Sequence, residues 1–186
     1  MYIPGQIAMN ILYYFTEPND LVVDPMAGGG STIDACLVMG RRCRAYDLNP
    51  LKERLDIMER NILDGFDDKA KNCDLIFLDP PYGDMVSFPK DTDFYEFIRK
   101  IAKNSYEAVK KGGIIAFVMC DRTKGQYDPF ISESYLIFKE AGFKCIHRIS
   151  APLSTQSGSG DEVNKARENK KLLGRDRVIY IFRRPN

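Results

Sequence analysis

Short apolar runs alternate along the chain with longer segments of helical spacing, and Gly, Pro, Asn or Asp marks each change. This alternation is typical of an α/β fold, because strands that are separated by helices are mostly parallel. We therefore predict a doubly wound sheet with helices on both faces. Its strands are predicted over residues 21–23, 43–46, 75–78, 114–119, 143–149 and 178–182.

Helices are predicted between these strands over residues 31–39, 50–61, 93–111 and 129–141. In the longest of them, Phe94, Phe97 and Ile101 fall on one stripe, as in an amphipathic helix. Gly40 and Gly142 stand just past two of the predicted ends, where glycine commonly terminates a helix. A long polar stretch, residues 151–177, predicts a mobile loop with a short helix before the last strand.

The chain has 186 residues, of which 44% are hydrophobic and 28% charged, and these values predict one globular domain. No apolar run approaches the roughly 18 residues that span a bilayer, so we expect no membrane association. The five cysteines are never spaced as C-x-x-C, which argues against a disulfide framework or a zinc site and favours a reducing cytoplasm. We expect no metal. Because the formal net charge is +1, binding to nucleic acid would need a local basic patch.

The first informative motif is a glycine-rich turn, LVVDPMAGGGST over residues 21–32, between a predicted buried strand and a predicted helix. Glycines let a backbone approach a ligand closely, and a helix N-terminus offers unpaired N–H groups. We interpret this turn as the binding loop of a nucleotide-like cofactor. The alternative is a tight turn that binds nothing, since glycine-rich turns alone are weak evidence.

An acidic residue, Asp47, stands at the tip of the second predicted strand. In a βαβ unit this position accepts hydrogen bonds from the ribose hydroxyls of a nucleotide. The alternative is that Asp47 caps the helix predicted after Pro50. The nearby glycine-rich turn favours the ribose interpretation.

The most specific motif is Asp79-Pro80-Pro81-Tyr82, at the carboxyl end of the strand predicted over residues 75–78. In open α/β sheets, ligands bind at this end of the strands. The Asp79 carboxylate and the Pro80 carbonyl could each accept an N–H from the exocyclic amine of a base, while Tyr82 could stack on its ring. A proline turn that only closes the strand is the alternative.

These motifs resemble those of the S-adenosyl-L-methionine-dependent methyltransferases that modify exocyclic amino groups of DNA bases, adenine N6 or cytosine N4. The tetrapeptide over residues 79–82 matches the catalytic tetrapeptide of that family in full. Residues 24–32 resemble its cofactor loop, with Met26 in place of the usual aromatic residue and Gly29 where Ser or Thr is commoner. The resemblance implies DNA methylation, of the kind found in restriction-modification systems, with S-adenosyl-L-methionine as the cofactor.

The resemblance also implies a fold and a set of site residues. The fold would be the class I methyltransferase fold, a Rossmann-like, mostly parallel sheet of seven strands with an antiparallel C-terminal strand. Catalysis would fall to Asp79, Pro80, Pro81 and Tyr82. Cofactor binding would fall to Gln6, which leads into a helix over residues 7–15, and to Asp24, Pro25, Met26, Ala27, Gly28, Gly30, Ser31, Thr32, Asp47, Leu48 and Asp64.

No block of domain size follows Asp79 that could recognise a DNA sequence. We therefore predict a single methyltransferase domain over residues 1–186, without a separate target-recognition domain, and target recognition would then depend on a homodimer or on a specificity subunit. A basic strip before the last strand is the candidate contact with DNA, or with RNA, and a solvated charged face is its alternative. The strip contains Lys165, Arg167, Lys170, Lys171, Arg175, Arg177, Arg183 and Arg184, of which the first five are the predicted contacts.

Three other functions are alternatives to DNA methylation. An RNA methyltransferase acting on an amine such as guanine N2 would use a similar tetrapeptide. A subunit that needs a partner for target recognition would also keep these motifs. A nicotinamide-dependent oxidoreductase is disfavoured, because the sequence after Val23 is not a clean G-x-G-x-x-G and nothing in that function explains the tetrapeptide.

Overall fold

The computed structural model describes residues 5–81, 93–121, 129–152, 160–170 and 176–186. Within these ranges seven strands form one sheet, and five helices connect or flank them. The strands are Leu21–Asp24 (β1), Arg42–Asp47 (β2), Ile57–Glu59 (β3), Cys73–Leu78 (β4), Val109–Met119 (β5), Lys144–Pro152 (β6) and Asp176–Arg183 (β7). The helices are Gly5–Phe15 (α1), Ser31–Met39 (α2), Phe94–Ala108 (α3), Phe130–Glu140 (α4) and Gly160–Glu168 (α5).

The strands lie in the order β3-β2-β1-β4-β5-β7-β6. The first five in this order are parallel, whereas β7 lies antiparallel between β5 and β6. From β1 the chain first adds strands on one side of the sheet and then returns to add β4 on the other. In open α/β sheets the crevice at such a switch point is where ligands bind. The predicted fold, a mostly parallel seven-stranded sheet with an antiparallel C-terminal strand, is confirmed.

The two faces of the sheet carry separate hydrophobic clusters, because alternate residues of a strand point to opposite faces. Ile76 of β4 and Phe117 of β5 belong to the cluster that α3 and α4 cover. Phe77 of β4 and Val118 of β5 belong to the cluster that α1 and α2 cover. Both faces are therefore buried, as expected for the central strands of a doubly wound sheet.

The helix predicted over residues 50–61 is wrong, since this segment contains turns, β3 and a 3₁₀ turn over Ile62–Asp64. Leu51 and Leu55 are 40% and 94% exposed, so the segment has no apolar face that a helix could bury. Ile57 instead pairs with Ala45 of β2 and is buried. The resulting strand, β3, is the member of the sheet that the apolar runs did not reveal.

The structure corrects the end of one predicted helix and confirms another helix. The helix predicted over residues 93–111 ends at Ala108, because Val109 is fully buried and pairs with Cys73, so that β5 begins there. The short helix predicted within residues 151–177 is confirmed as α5. Across the described part of the chain, no helix combines the length and the apolar character that crossing a membrane requires.

A partly buried carboxylate links three strands at the edge of the sheet opposite to the switch-point crevice. Asp74 of β4 accepts a hydrogen bond of 2.6 Å from the Leu21 N–H at the start of β1. Its other oxygen forms an ion pair with Lys110 of β5, and its side chain is 15% exposed. Asp74 therefore fixes β1 and β5 against β4.

Replacing Asp74 with alanine is expected to lower the free energy of unfolding by about 2 kcal/mol, since it leaves the Leu21 N–H without its charged acceptor. Urea denaturation measures this loss. Asp68→Ala is the matched control, because it removes an acidic partner from a fully exposed pair with Lys71 and is expected to change nothing measurable. Equal effects of the two substitutions would contradict the role of Asp74.

Candidate active site

A cavity of about 440 Å³ opens at the carboxyl ends of β1, β2 and β4, within the size range of small-molecule sites. Four segments form most of its wall: the glycine-rich turn, the tip of β2, the turn after β3 and the segment after β4. Residues of the wall that sequence analysis predicted for the site are Asp24, Pro25, Met26, Ala27, Gly28, Ser31, Thr32, Asp47, Leu48, Asp79, Pro80 and Pro81.

Hydrogen bonds to β2 fix the glycine-rich turn. The Ala27 N–H donates to the Tyr46 carbonyl at 2.9 Å, and the Gly28 N–H donates to the Asp47 carboxylate at 2.8 Å. Gly28 and Gly30 have φ of +50° and +86°, a region that glycine enters without steric cost. These hydrogen bonds and φ values therefore fix the backbone of the turn against the tip of β2.

Asp47 receives two backbone hydrogen bonds and still lines the cavity. One carboxylate oxygen accepts from Gly28 and the other accepts from the Asn49 N–H at 2.9 Å. Each carboxylate oxygen has two lone pairs, so acceptor capacity remains toward the cavity. The alternative in which Asp47 caps a helix after Pro50 is wrong, because no helix forms there.

Asp24, at the end of β1, is a buried carboxyl group with 5% of its surface exposed. Burial raises the pKa of Asp24 from 3.8 to about 6. Hydrogen bonds from the Thr32 hydroxyl and from the Met26 N–H, the latter at 3.1 Å, lower the pKa in part, and the charge of Asp47 raises it further. Asp24 therefore titrates close to neutral pH.

Arg54, which sequence analysis missed, fixes the glycine-rich turn from the opposite side. Its guanidinium donates to the Gly29 carbonyl at 3.1 Å and to the Gly30 carbonyl at 3.5 Å. It also forms ion pairs with Asp34 at 3.1 Å and with Asp56 at 2.8 Å. No motif marks Arg54 in the sequence, because it lies in the segment where a helix was predicted.

The turn after β3 and two leucines form an apolar side of the cavity. Leu48 and Leu51 line it although they are 49% and 40% exposed, and Leu63 lines it from the wall segment after β3. The Asn61 side chain accepts the Leu63 N–H at 3.0 Å and thereby holds the 3₁₀ turn. This combination of exposed apolar surface and fixed backbone suits a flat aromatic ligand.

Three residues predicted for cofactor binding do not belong to the cavity wall as the described residues form it. Gln6 is exposed on α1, and Asp64 is exposed at the end of the 3₁₀ turn. Gly30 packs against Arg54, whose guanidinium carbon lies 2.3 Å from the position that a Cβ on Gly30 would occupy. Gly30 therefore shapes the turn without lining the cavity.

The segment after β4 brings three residues of the predicted catalytic tetrapeptide to the same cavity. Asp79, Pro80 and Pro81 line it, and Pro80 is buried. Tyr82 lies outside the described residues. The acidic residue of the tetrapeptide thus shares one cavity with the glycine-rich turn and Asp47, which sequence analysis predicted from separate motifs.

The structure describes three of the five cations that are predicted to contact DNA. Lys165 and Arg167 are exposed on α5, and Lys170 is exposed two residues after the helix ends. Lys171 and Arg175 lie outside the described residues. Arg177, at the start of β7, is different, because it is buried and lines the cavity.

Asp24→Asn is expected to stabilise the protein increasingly as the pH rises. Asp24 is protonated in both states below its unfolded pKa of 3.8, whereas between 3.8 and about 6 the folded state holds its proton more tightly. The folded state therefore loses stability as the pH rises through about 6, by up to roughly 3 kcal/mol, and an amide escapes this loss. Urea denaturation of both proteins at several pH values measures the difference, which should vanish near pH 4. A difference that does not change with pH would contradict the assignment.

Gly30→Ala is expected to destabilise the protein more than Gly28→Ala. Both substitutions place a side chain at positive φ, which costs about 1 kcal/mol in each case. A Cβ at Gly30 would also displace Arg54 from its two carbonyls, whereas a Cβ at Gly28 meets nothing within 4 Å. Denaturation of the two variants compares the costs, and equal losses would contradict the role of Arg54.

No protein-family model matches the sequence, and no curated protein matches it either. Solved structures do match. A TehB-like S-adenosylmethionine-dependent methyltransferase from Corynebacterium glutamicum gives a TM-score of 0.63 at 12% identity, with 98% of this chain and 89% of that chain covered. A methyltransferase of the same cofactor class from Methanosarcina mazei gives 0.66 at 12% identity, with 94% and 97% covered.

A third match is the 1,6-didemethyltoxoflavin-N1-methyltransferase of Burkholderia thailandensis, solved with bound S-adenosylhomocysteine. Its TM-score is 0.64 at 14% identity, with 98% of this chain and 78% of that chain covered. In each of the three matches the agreement covers 94% or more of this chain. The chain therefore has the class I fold of S-adenosylmethionine-dependent methyltransferases.

Proposed function

We propose that this protein transfers a methyl group from S-adenosyl-L-methionine to the exocyclic amino group of a DNA base, with adenine N6 as the preferred target and cytosine N4 as the second. The observation that carries this proposal is that Asp79, Pro80 and Pro81 line the same cavity as the glycine-rich turn and Asp47. One cavity thus offers a nucleotide-binding turn and an acceptor for an amine.

The chemistry of the wall fits the cofactor. Asp47 would accept the ribose hydroxyls with the lone pairs that Gly28 and Asn49 leave open. Leu48 and Leu51 would cover the adenine, while the fixed backbone of the glycine-rich turn would face the methionine half. When bound, S-adenosyl-L-methionine supplies an electrophilic methyl group on a sulfonium sulfur.

The residues after β4 would orient the acceptor. The Asp79 carboxylate and the Pro80 carbonyl would each accept an N–H of the amine, which directs the nitrogen lone pair at the methyl carbon. Methylation of the amine would release one proton, and the orientation set by Asp79 and Pro80 would leave the nitrogen lone pair free to react. No covalent enzyme intermediate is needed.

Single-stranded DNA could enter such a site directly, whereas a duplex would have to flip the target base out of its stack at a cost of a few kcal/mol. Lys165, Arg167 and Lys170 are exposed in or just after α5, where they would neutralise phosphates. We propose these cations as DNA contacts, together with Lys171 and Arg175. A homodimer or a specificity subunit would add the recognition of a target sequence.

Asp79→Ala is expected to lower methyl transfer at least about a hundredfold, because the amine loses its orienting acceptor. Transfer of labelled methyl to duplex DNA, single-stranded DNA and transfer RNA measures this, with nucleoside analysis of the product. Calorimetry with S-adenosylhomocysteine should show nearly unchanged binding, since Asp47 and the glycine-rich turn remain. Asp68→Ala, at an exposed site away from the cavity, is the control and should retain full activity.

Each outcome separates the candidate functions. Label on DNA that is lost in Asp79→Ala supports the proposal, and the methylated nucleoside names the base. Label on transfer RNA alone would favour an RNA methyltransferase, and binding of S-adenosylhomocysteine without transfer would favour a subunit that needs a partner. Near-normal transfer by Asp79→Ala would contradict the role of Asp79.

A further inference from the structure

Arg177 is a buried cation in the wall of the cavity. Its exposure is 5%, and it lies at the start of β7. Among the residues that the structure describes, no ion pair and no side-chain hydrogen bond involves its guanidinium. Burying a charge is unfavourable unless a partner compensates it, so a cation in the wall of the cavity suits an anionic group of a bound ligand.

The other arginine of the cavity wall differs in this respect. Arg60 donates to the Gly65 carbonyl at 3.1 Å, and its guanidinium lies 6.0 Å from the centre of the Tyr46 ring. Arg54, which supports the glycine-rich turn, has Asp34 and Asp56 as partners. Arg177 is thus the arginine near the cavity for which the described residues provide no partner.

The antiparallel direction of β7 brings Arg177 to the same edge of the sheet as Asp79. Val178 pairs with Met119, the last residue of β5. Arg177, which precedes Val178, therefore lies at the carboxyl edge of the parallel strands. Arg177 also lies on the face of Ile179, which belongs to the hydrophobic cluster of Phe77. Phe77 precedes Asp79 by two residues, so both charged side chains belong to the same side of the sheet.

The order of the strands separates Arg177 from the cofactor part of the cavity. Neighbouring strands lie about 4.8 Å apart, which places β7 about 10 Å from β4 and about 14 Å from β1. The glycine-rich turn and Asp47 lie at β1 and β2, on the other side of Asp79. Arg177 therefore lies where an acceptor would extend away from the amine that Asp79 orients.

We propose that Arg177 binds the phosphate of the acceptor nucleotide, on the side of Asp79 away from the cofactor. The acceptor class rests on the proposed function, and the phosphate follows from a guanidinium in the cavity wall for which the described residues offer no anion. The planar guanidinium can donate two parallel hydrogen bonds to a phosphate, which fixes the orientation of the nucleotide as well as neutralising its charge. A phosphate accompanies every base in a nucleic acid, whatever the sequence.

The test compares deoxyadenosine monophosphate with deoxyadenosine as ligands of the protein saturated with S-adenosylhomocysteine. Titrations followed by nuclear magnetic resonance are made with the wild type and with Arg177→Gln, and repeated with the cytosine pair. We expect the wild type to prefer the monophosphate by about tenfold, as for a hydrogen bond to a charged group, and Arg177→Gln to lose that preference. Arg177→Lys keeps the positive charge but lacks the two parallel N–H donors of a guanidinium. This variant should therefore retain part of the preference for the monophosphate.

Two controls keep a structural defect apart from a loss of binding. Arg183→Gln removes an exposed cation from the other end of β7 and should keep the full preference for the monophosphate. Arg177→Met should unfold at the same temperature as the wild type or higher, because it removes a buried charge that no described residue pairs. A lower unfolding temperature would show that Arg177 supports the fold and would overturn the proposal.

The cofactor carboxylate is the other anion that could meet Arg177, and a second comparison distinguishes it. If Arg177→Gln weakens the binding of S-adenosylhomocysteine but not of 5′-methylthioadenosine, which lacks the carboxylate, Arg177 binds the cofactor and the proposal is overturned. A wild type without preference for the monophosphate, or an Arg177→Gln variant that keeps it, overturns the proposal too. A phosphate preference without methyl transfer to any nucleic acid would support the phosphate site while contradicting the proposed function.

Discussion

The hydrogen bond from the Gly28 N–H to the Asp47 carboxylate joins the two strand ends on which the site depends. Gly28 also has a positive φ, which glycine adopts without steric cost and which directs the chain that follows it. The same carboxylate fixes the chain after β2 through Asn49, so one acidic side chain orders the backbone on both sides of the cavity. On the opposite side of the glycine-rich turn, the Arg54 guanidinium donates hydrogen bonds to two of its carbonyls.

Charge is distributed unevenly around this backbone. Asp24 and Asp47 lie where the cofactor is proposed to bind, and burial raises the pKa of Asp24 to about 6. Arg177 lies at the far end of the same cavity, on a strand that runs against the others. The wall thus has two carboxylates at one end and a cation at the other, while Arg60 donates to the Gly65 carbonyl. This arrangement would orient a ligand with a cationic and an anionic end.

The sequence predicted the parts of the fold that follow from local chemistry. Apolar runs marked six strands, and the motifs at Asp24, Asp47 and Asp79 lie together as predicted, because parallel strands bring their carboxyl ends to one edge. What it could not predict depended on distant contacts. Residues 50–61 look helical by composition, but β3 forms because Ile57 pairs with β2. Arg54 and Arg177 carry no motif, and only the folded sheet shows that Arg54 has acidic partners whereas Arg177 has none among the described residues.

The insertion of β7 between β5 and β6 also governs how this domain can assemble. Neither neighbour can complete its backbone hydrogen bonds before β7 arrives, although β5 and β6 are made earlier in synthesis. A chain that pauses before this insertion would present two open strand edges, each a template for pairing with another molecule. Docking of β7 closes those edges and, in the same step, brings Arg177 to the cavity. Protection from aggregation and completion of the site are therefore one event in folding.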